Sequence, residues 1–215
     1  MIKEKLLLYA ITDSSCIGNR DFYEEIEKAL KGGVTILQLR EKGLSTSGLT
    51  EKAKKVKAVC QRYNVPLIIN DDVTAAIDSG ADGVHVGADD MNVSEIRRMA
   101  GDDFIIGATA KTVEQALSAQ SQGADYLGCG ALFASSTKKN AKPMTAEMLR
   151  EIISSVTIPV VAIGGLSYDN IDIIKGSGAA GAAFVSAVFA QTDTEAAAEK
   201  LKAKMEEIIN VSQTI

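Results

Sequence analysis

The segment Gly80-Ala81-Asp82-Gly83-Val84-His85-Val86 contains a junction that recurs along the chain and decides the fold. A glycine there follows an amphipathic stretch and precedes a short apolar run. Glycine ends a helix readily because it adopts the left-handed conformation without a steric clash. Related junctions stand at Gly32-Gly33, Gly123-Ala124-Asp125 and Gly178-Ala179-Ala180-Gly181. The repeat predicts a succession of strand and helix units.

Short apolar runs separate the predicted helices. Few of these runs alternate polar with apolar residues, which is typical of strands buried on both faces of a parallel sheet. The intervening stretches, such as Glu51–Tyr63 and Thr145–Val156, place apolar residues at helical spacing. The predicted strands are Leu6–Ile11, Val34–Leu39, Pro66–Asn70, Gly83–Val86, Phe104–Ala108, Asp125–Gly130, Pro159–Ile163 and Gly181–Ser186.

Eight strands that alternate with helices fit a closed barrel or an open doubly wound sheet. An open sheet that binds dinucleotides carries a glycine-rich turn after its first strand. Here the first strand is followed by Thr12-Asp13-Ser14-Ser15, which excludes that turn. We therefore predict an α/β fold, a single (β/α)8 TIM barrel that forms one catalytic domain over residues 1–215.

Composition excludes several classes of function. The 215 residues carry a net charge of −5 and include no tryptophan, so we expect no nucleic-acid partner, which would demand clustered basic residues. No stretch approaches the roughly 18 apolar residues of a membrane span, and the first apolar run is too short for a secretory signal. Three cysteines in no metal-binding pattern predict reduced thiols. We expect a cytoplasmic protein with no membrane partner; the sequence leaves open whether it forms a homo-oligomer.

The active sites of such barrels lie at the carboxyl ends of the strands, so the residues that follow each strand are the candidates for catalysis and binding. Gln38, Arg40 and Lys42 alternate at the end of the second strand, so their side chains are predicted to point to one side. The planar guanidinium and the point charge of the ammonium suit a pyrophosphate. The alternative is an ordinary charged loop in which Glu41 and Lys42 face water.

Two carboxylates, Asp71 and Asp90, follow adjacent strands. Together with pyrophosphate oxygens and waters they would make a Mg²⁺ site. The alternative is that both are helix N-caps, a position that aspartate favours. Asp72 and Asp89 are weaker candidates for the metal site.

Glycines and hydroxyl groups mark a second candidate site. Gly164-Gly165 is predicted to open a helix after the seventh strand, and Ser186 follows the eighth, as in the phosphate sites of many barrels. The loop Ser135–Lys139 after the sixth strand is predicted to close over phosphates as a lid, or else to be a solvated loop. His85, the single histidine, is expected to be a satisfied core residue.

In their order and spacing these segments resemble one family, thiamine phosphate synthase, from Tyr9 to Ala187. The resemblance implies a transferase that joins 4-amino-2-methyl-5-(diphosphomethyl)pyrimidine to a thiazole phosphate, with Mg²⁺ assisting the dissociative loss of pyrophosphate. The segments that carry it are Gln38–Lys42, Pro66–Asp71, Gly80–Gly87, Asp89–Met91, Gly123–Gly128, Thr137–Lys139 and Pro159–Gly165.

The resemblance also implies residue roles. Thr109 takes the place of a hydroxyl residue, usually serine, at the fifth strand. The other implied roles are diphosphate binding by Arg40, Lys42, Asn70 and Lys138, Mg²⁺ binding by Asp71 and Asp90, pyrimidine contact by Gln38, and thiazole phosphate binding by Ser135, Thr137, Gly165 and Ser186.

Two alternatives share the scaffold. A thiazole tautomerase resembles the synthase but depends on a histidine at the fifth strand, and here that position is Lys111. A non-catalytic sensor of phosphate ligands would keep the glycine site but lose the carboxylate pair. The presence of Asp71 and Asp90 favours the synthase over both.

Overall fold

Eight parallel strands close into a barrel in the order of the chain. The computed structural model describes residues 2–133 and 143–211. The predicted (β/α)8 barrel is therefore confirmed, and the doubly wound alternative is excluded. The strands are β1 Leu8–Ile11, β2 Ile36–Leu39, β3 Leu67–Asn70, β4 Gly83–Val86, β5 Ile105–Ala110, β6 Tyr126–Gly130, β7 Val160–Ile163 and β8 Gly181–Phe184.

Helices connect the strands on the outside of the barrel. In the described parts of the chain they are α1 Ile2–Lys5, α2 Ser14–Ile17, α3 Phe22–Lys31, α4 Thr46–Arg62, α5 Val73–Ser79, α6 Val93–Ala100, α7 Val113–Ser121, α8 Ala146–Ser155, α9 Ser186–Phe189 and α10 Thr194–Val211. A 3-10 helix, Ile171–Ile174, follows β7. None of the helices in residues 2–133 and 143–211 has the length and apolar character needed to span a bilayer.

The barrel has two apolar cores, because successive strand residues face opposite sides. The interior core includes Tyr9, Ile36, Ile68 and Tyr126. The outer core lies between strands and helices and includes Leu37, which adjoins Ile36 in sequence. This alternation leaves both faces of each strand buried, which explains why the strands read as nearly continuous apolar runs.

The structure differs from the sequence prediction at some element ends. Helix α4 begins at Thr46, five residues before the predicted start, because Ser45 Oγ accepts a hydrogen bond from Gly48 N at 3.2 Å and caps it. The prediction that Gly164-Gly165 opens a helix is wrong. Both glycines have positive φ angles, 101° and 64°, and a turn separates them from the 3-10 helix.

Candidate active site

A cavity of about 440 Å³ opens at the carboxyl ends of the strands. Every predicted site residue that the structure describes lines it: Gln38, Arg40, Lys42, Asn70, Asp71, Asp90, Thr109, Gly165 and Ser186. Ser135, Thr137 and Lys138 fall outside the described residues, and so does the predicted lid. The closed barrel therefore gathers residues from the carboxyl ends of six strands into one site.

The end of β2 delivers cationic groups to this cavity. Gln38 is buried, the side chain of Arg40 is 10 % exposed, and Lys42 lies at the open rim. The Arg40 guanidinium comes within 4.0 Å of the Asp13 carboxylate, while the three side chains all line the cavity. The predicted one-sided arrangement of Gln38, Arg40 and Lys42 is thus observed.

Glu41 points away from the cavity and fixes the end of β2. Its carboxylate accepts hydrogen bonds from Thr12 Oγ1 at 2.9 Å and from Ser14 Oγ, and it pairs with Lys52 Nζ at 3.0 Å. The backbone N–H of Arg40 in turn donates to Thr12 Oγ1 at 3.0 Å. The alternative in which Glu41 and Lys42 face water is therefore wrong for Glu41, whereas Lys42 is exposed at the rim of the cavity.

Asp71 and Asp90 are not the residues that cap the neighbouring helices. Asp72 caps α5 by accepting from Ala75 N at 2.8 Å, and Asn92 caps α6 by accepting from Ser94 N at 2.9 Å. The N-cap alternative for the two aspartates is therefore wrong.

The backbone turns sharply where β3 delivers Asp71. Its φ angle is 65°, in the left-handed region that few residues other than glycine adopt, and its N–H donates to His85 O at 2.9 Å. In the loop after β4, Asp90 Oδ2 accepts from Gly87 N at 2.7 Å. Strained conformations of this kind concentrate at functional sites, and here the turn places the carboxylate on the cavity wall.

The donor set suits a magnesium ion that also binds substrate. Mg²⁺ prefers one or two carboxylates together with phosphate oxygens and waters. Asp71 and Asp90 supply two carboxylates, and no group of three or more metal-binding side chains occurs within the part of the chain that the structure describes. The residues present therefore fit a cation completed by a phosphorylated ligand rather than a site built of protein alone.

Small residues form the wall at β7 and β8. A Cβ atom on Gly164 would lie 2.4 Å from Ala131 Cα, so only glycine fits there. Asn170 Nδ2 donates to Gly165 O at 2.9 Å, which holds the turn that follows. Ser186 is exposed to the cavity at the first turn of α9, a short helix that the sequence did not predict.

The floor of the cavity holds a hydrogen-bonded chain of side chains that sequence reasoning missed. Gln38 Nε2 donates to Tyr9 Oη at 2.8 Å, and Tyr9 Oη lies 2.7 Å from Tyr126 Oη. His85 then joins Tyr126 Oη to Thr109 Oγ1, with 3.1 Å at each of its ring nitrogens. We call these residues, Gln38, Tyr9, Tyr126, His85 and Thr109, the cross-barrel chain.

Comparison with known proteins identifies the family to which this chain belongs. A family model described as thiamine monophosphate synthase matches residues 8–188. A thiamine-phosphate synthase of Fusobacterium nucleatum is 46 % identical over 196 residues, which cover 90 % of this chain and 94 % of that protein. The corresponding protein of Ruminiclostridium cellulolyticum is 45 % identical over 194 residues, covering 90 % and 92 %. The chain belongs to the thiamine monophosphate synthase family.

Structural comparison agrees with this assignment. A thiamine phosphate pyrophosphorylase from Pyrococcus furiosus superposes with a TM-score of 0.89 at 36 % identity, covering 97 % of this chain and 99 % of that one. As a member of the thiamine monophosphate synthase family, the protein is an enzyme of thiamine biosynthesis. The match to the family model spans all eight strands, so it includes every described wall of the cavity.

A second cavity of about 450 Å³ lies at the opposite, amino-terminal face of the barrel, between α1 and the starts of β3, β4 and β5. Its cationic and anionic groups are committed to contacts: Lys57 Nζ pairs with Asp82 at 2.5 Å, and Lys5 Nζ donates to Asn64 O at 3.1 Å. In barrels of this kind that face serves stability, and the carboxyl-end face carries the chemistry.

Proposed function

We propose that this member of the thiamine monophosphate synthase family condenses 4-amino-2-methyl-5-(diphosphomethyl)pyrimidine with a thiazole phosphate, giving thiamine phosphate and pyrophosphate. The observation that carries the proposal is one cavity with two contrasting walls. The wall at β2 to β4 presents cations and carboxylates, and the facing wall at β7 and β8 presents glycines and a serine. Two phosphorylated substrates can therefore meet above one floor.

The diphosphate binds at the wall formed by β2 and β3. Arg40 and Lys42 supply positive charge, and the amide of Asn70 donates a hydrogen bond at the end of β3. The family resemblance assigns the same role to Lys138, which lies outside the described residues. Positive charge aimed at the oxygens of the departing pyrophosphate stabilises the transition state more than the ground state, because negative charge develops there.

Asp71 and Asp90 would hold Mg²⁺ beside the diphosphate, and the ion when bound supplies further positive charge to the leaving group. The left-handed turn at Asp71 and the hydrogen bond from Gly87 N to Asp90 fix the two carboxylates on adjacent strands. Both aspartates therefore serve to position charge rather than to transfer a proton.

The pyrimidine lies on the floor, where Gln38 and Thr109 contact it. The C–O bond between its methylene carbon and the diphosphate breaks first, and the bonding electrons leave with the pyrophosphate. The thiazole nitrogen then donates its lone pair to the resulting cation and forms the new C–N bond. Gly165 and Ser186, with Ser135 and Thr137, hold the thiazole phosphate so that its nitrogen faces that carbon.

We propose that the enzyme acts in the cytoplasm as reduced protein. Cys16, Cys60 and Cys129 form no disulfide. Burial raises the pKa of the thiols of Cys60 and Cys129 to about 12, so neither is an activated nucleophile at neutral pH.

Arg40 tests the proposal directly. Arg40→Ala is expected to lower kcat/KM for thiamine phosphate formation by at least about a hundredfold, the effect of removing one donor from a transition-state charge. Arg62→Ala is the matched control, because Arg62 is 56 % exposed and pairs with Glu27 outside the cavity. A decrease in kcat/KM below about tenfold for Arg40→Ala would show that Arg40 does not contact the leaving group.

A further inference from the structure

The distances in the cross-barrel chain leave the donor open at Tyr9, Tyr126 and His85, but one direction gives every phenol proton an acceptor within the chain. Gln38 Nε2 can only donate, so Tyr9 Oη accepts from it, and the Tyr9 proton then has Tyr126 Oη as its acceptor within the chain. Tyr126 then donates to His85 Nδ1. A neutral imidazole that accepts at Nδ1 carries its proton on Nε2, which donates to Thr109 Oγ1. This direction follows from the donation by Gln38 together with a neutral His85 ring.

The two ends of the cross-barrel chain, Gln38 and Thr109, face the cavity with opposite hydrogen-bonding roles. The Gln38 amide nitrogen donates to Tyr9, and this is the side-chain hydrogen bond that Gln38 makes within residues 2–133 and 143–211. That oxygen is left to accept a hydrogen bond from a ligand. Thr109 Oγ1 accepts from His85, so the hydroxyl proton of Thr109 is left to donate to a ligand.

Burial preserves the hydrogen bonds of the two tyrosines in the middle of the cross-barrel chain. Tyr9 and Tyr126 are 2 % and 0 % exposed, and burial raises the pKa of both phenols well above the ordinary value of 10.0. Both therefore keep the protons on which the direction depends.

Two glycines leave room for the chain. A Cβ atom on Gly107 would lie 2.1 Å from Tyr126 Cζ and 2.5 Å from His85 Nδ1, and one on Gly128 would lie 3.0 Å from His85 Cε1. Position 107 in β5 is thus restricted to glycine by Tyr126 and His85, whereas a Cβ atom at position 128 in β6 would require His85 to shift slightly. The backbone of β5 and β6 therefore makes room for the side chains of the cross-barrel chain.

We propose that Tyr9, Tyr126 and His85 are positioning residues that make Gln38 a hydrogen-bond acceptor and Thr109 a hydrogen-bond donor toward the substrate's heterocycle. This inference rests on the proposed function and deepens it. The matching ring offers an amino group to Gln38 and an unprotonated ring nitrogen to Thr109, which is the pattern of an aminopyrimidine. In a ring with an oxo group in place of the amine, the oxo oxygen and Gln38 Oε1 are both acceptors and cannot form a hydrogen bond. The cross-barrel chain therefore selects against such a ring.

The direction of the chain can be measured without substrate. The protein has one histidine, so ¹⁵N-labelled histidine gives the two ring nitrogens of His85 alone in an NMR spectrum. We expect the neutral ring to carry its proton on Nε2 and to accept at Nδ1. A ring protonated on Nδ1 would reverse the chain and overturn the inference, whatever the enzyme's activity.

The effect on specificity is tested with two substrates, the aminopyrimidine diphosphate and its 4-oxo counterpart. The ratio of their kcat/KM values is compared between the wild type and Tyr126→Phe, which keeps the ring but breaks the chain at its centre. The intrinsic reactivity of the two compounds cancels in this comparison. We expect the preference for the amine to fall by about tenfold or more, because Gln38 and Thr109 become free to reorient.

Tyr63→Phe is the matched control, since the Tyr63 hydroxyl donates to Glu27 far from the cavity, and it should keep the wild-type ratio. An unchanged ratio in folded Tyr126→Phe would overturn the positioning role. Wild-type enzyme that forms no thiamine phosphate from the amine would instead overturn the proposed function, and the NMR result would still stand.

Discussion

Thr12 Oγ1 donates a hydrogen bond to Glu41 Oε1 at 2.9 Å and thereby ties the end of β1 to the end of β2. The same hydroxyl accepts from Arg40 N at 3.0 Å, and Thr12 is fully buried. The position of the Arg40 side chain in the cavity therefore depends on a residue that does not itself line the cavity.

We predict that Thr12→Val lowers kcat/KM by about tenfold or more, because a small displacement of Arg40 weakens its contact with the diphosphate. Loss of the buried hydrogen bonds should also lower the free energy of unfolding by about 1–3 kcal/mol. Thr50→Val is the control, since the buried Thr50 hydroxyl donates to Thr46 O within α4. It should lose stability but keep its activity; equal losses of activity in both variants would contradict the link to Arg40.

The carboxylate pair gives a second prediction. Asp71→Asn combined with Asp90→Asn should lower kcat by about a hundredfold or more and abolish the dependence of the rate on Mg²⁺ concentration, because asparagine keeps the shape but loses the charge. The measurement is a magnesium titration of pyrophosphate release. Asp72→Asn should behave like the wild type, since asparagine caps α5 as well as aspartate does. A normal magnesium titration in the double variant would show that neither aspartate binds the metal ion.

Gly107 gives a third prediction, on stability. Gly107→Ala should lower the free energy of unfolding by about 1–3 kcal/mol, because the new Cβ would overlap Tyr126 and His85. Gly48→Ala in α4 should raise it by about 0.5–1 kcal/mol, since its nearest neighbour would be Ser45 Oγ at 3.4 Å and alanine favours the helix. Urea unfolding checks both. If Gly107→Ala were as stable as the wild type, the space beside Tyr126 would not be limiting.

The buried carboxylate of Glu25 gives a prediction about pH. Burial by itself raises the pKa of Glu25, but hydrogen bonds from Lys28 and Thr194 and the charge of Arg20 outweigh it, and the net pKa is lowered from 4.5. A lowered pKa means that the stabilisation is complete above about pH 4.5 and is lost as the pH falls through the lowered value.

Glu25→Gln should therefore destabilise the protein by about 1–3 kcal/mol at pH 7, and the difference from the wild type should shrink as the pH falls below 4.5. Urea unfolding at several pH values measures this. Glu51→Gln is the control, because Glu51 is 68 % exposed in its pair with Lys54. A difference that stays constant down to pH 3 would show that the charge of Glu25 contributes nothing.

The sequence predicted the barrel and several of the residues that line the cavity, because polar strand ends stand out in it. Polar residues that follow an apolar run, such as Arg40 and Asp71, stand out, and the closed parallel barrel brings them to one face. The N-caps were harder to assign. Asp71 and Asp72 are chemically alike, and only the left-handed turn at Asp71 decides that Asp72 caps the helix.

The cross-barrel chain could not be predicted in the same way. Tyr9 and Tyr126 lie within apolar runs, where a tyrosine reads as ordinary core. His85 was expected to be a satisfied core residue, and it is hydrogen bonded, but it lines the cavity. The glycines at 107 and 128 were a usable signal, since glycine inside a strand often marks a close approach of other groups.

The most direct test of the central claim is pyrophosphate release by the purified wild-type enzyme given both substrates. We predict that pyrophosphate and thiamine phosphate form in equal amounts when the pyrimidine diphosphate, the thiazole phosphate and Mg²⁺ are all present. Thiamine phosphate should disappear when the thiazole phosphate is omitted or Mg²⁺ is chelated. Folded enzyme that releases no pyrophosphate with both substrates and Mg²⁺, or that reacts equally well with a chelator, would contradict the account.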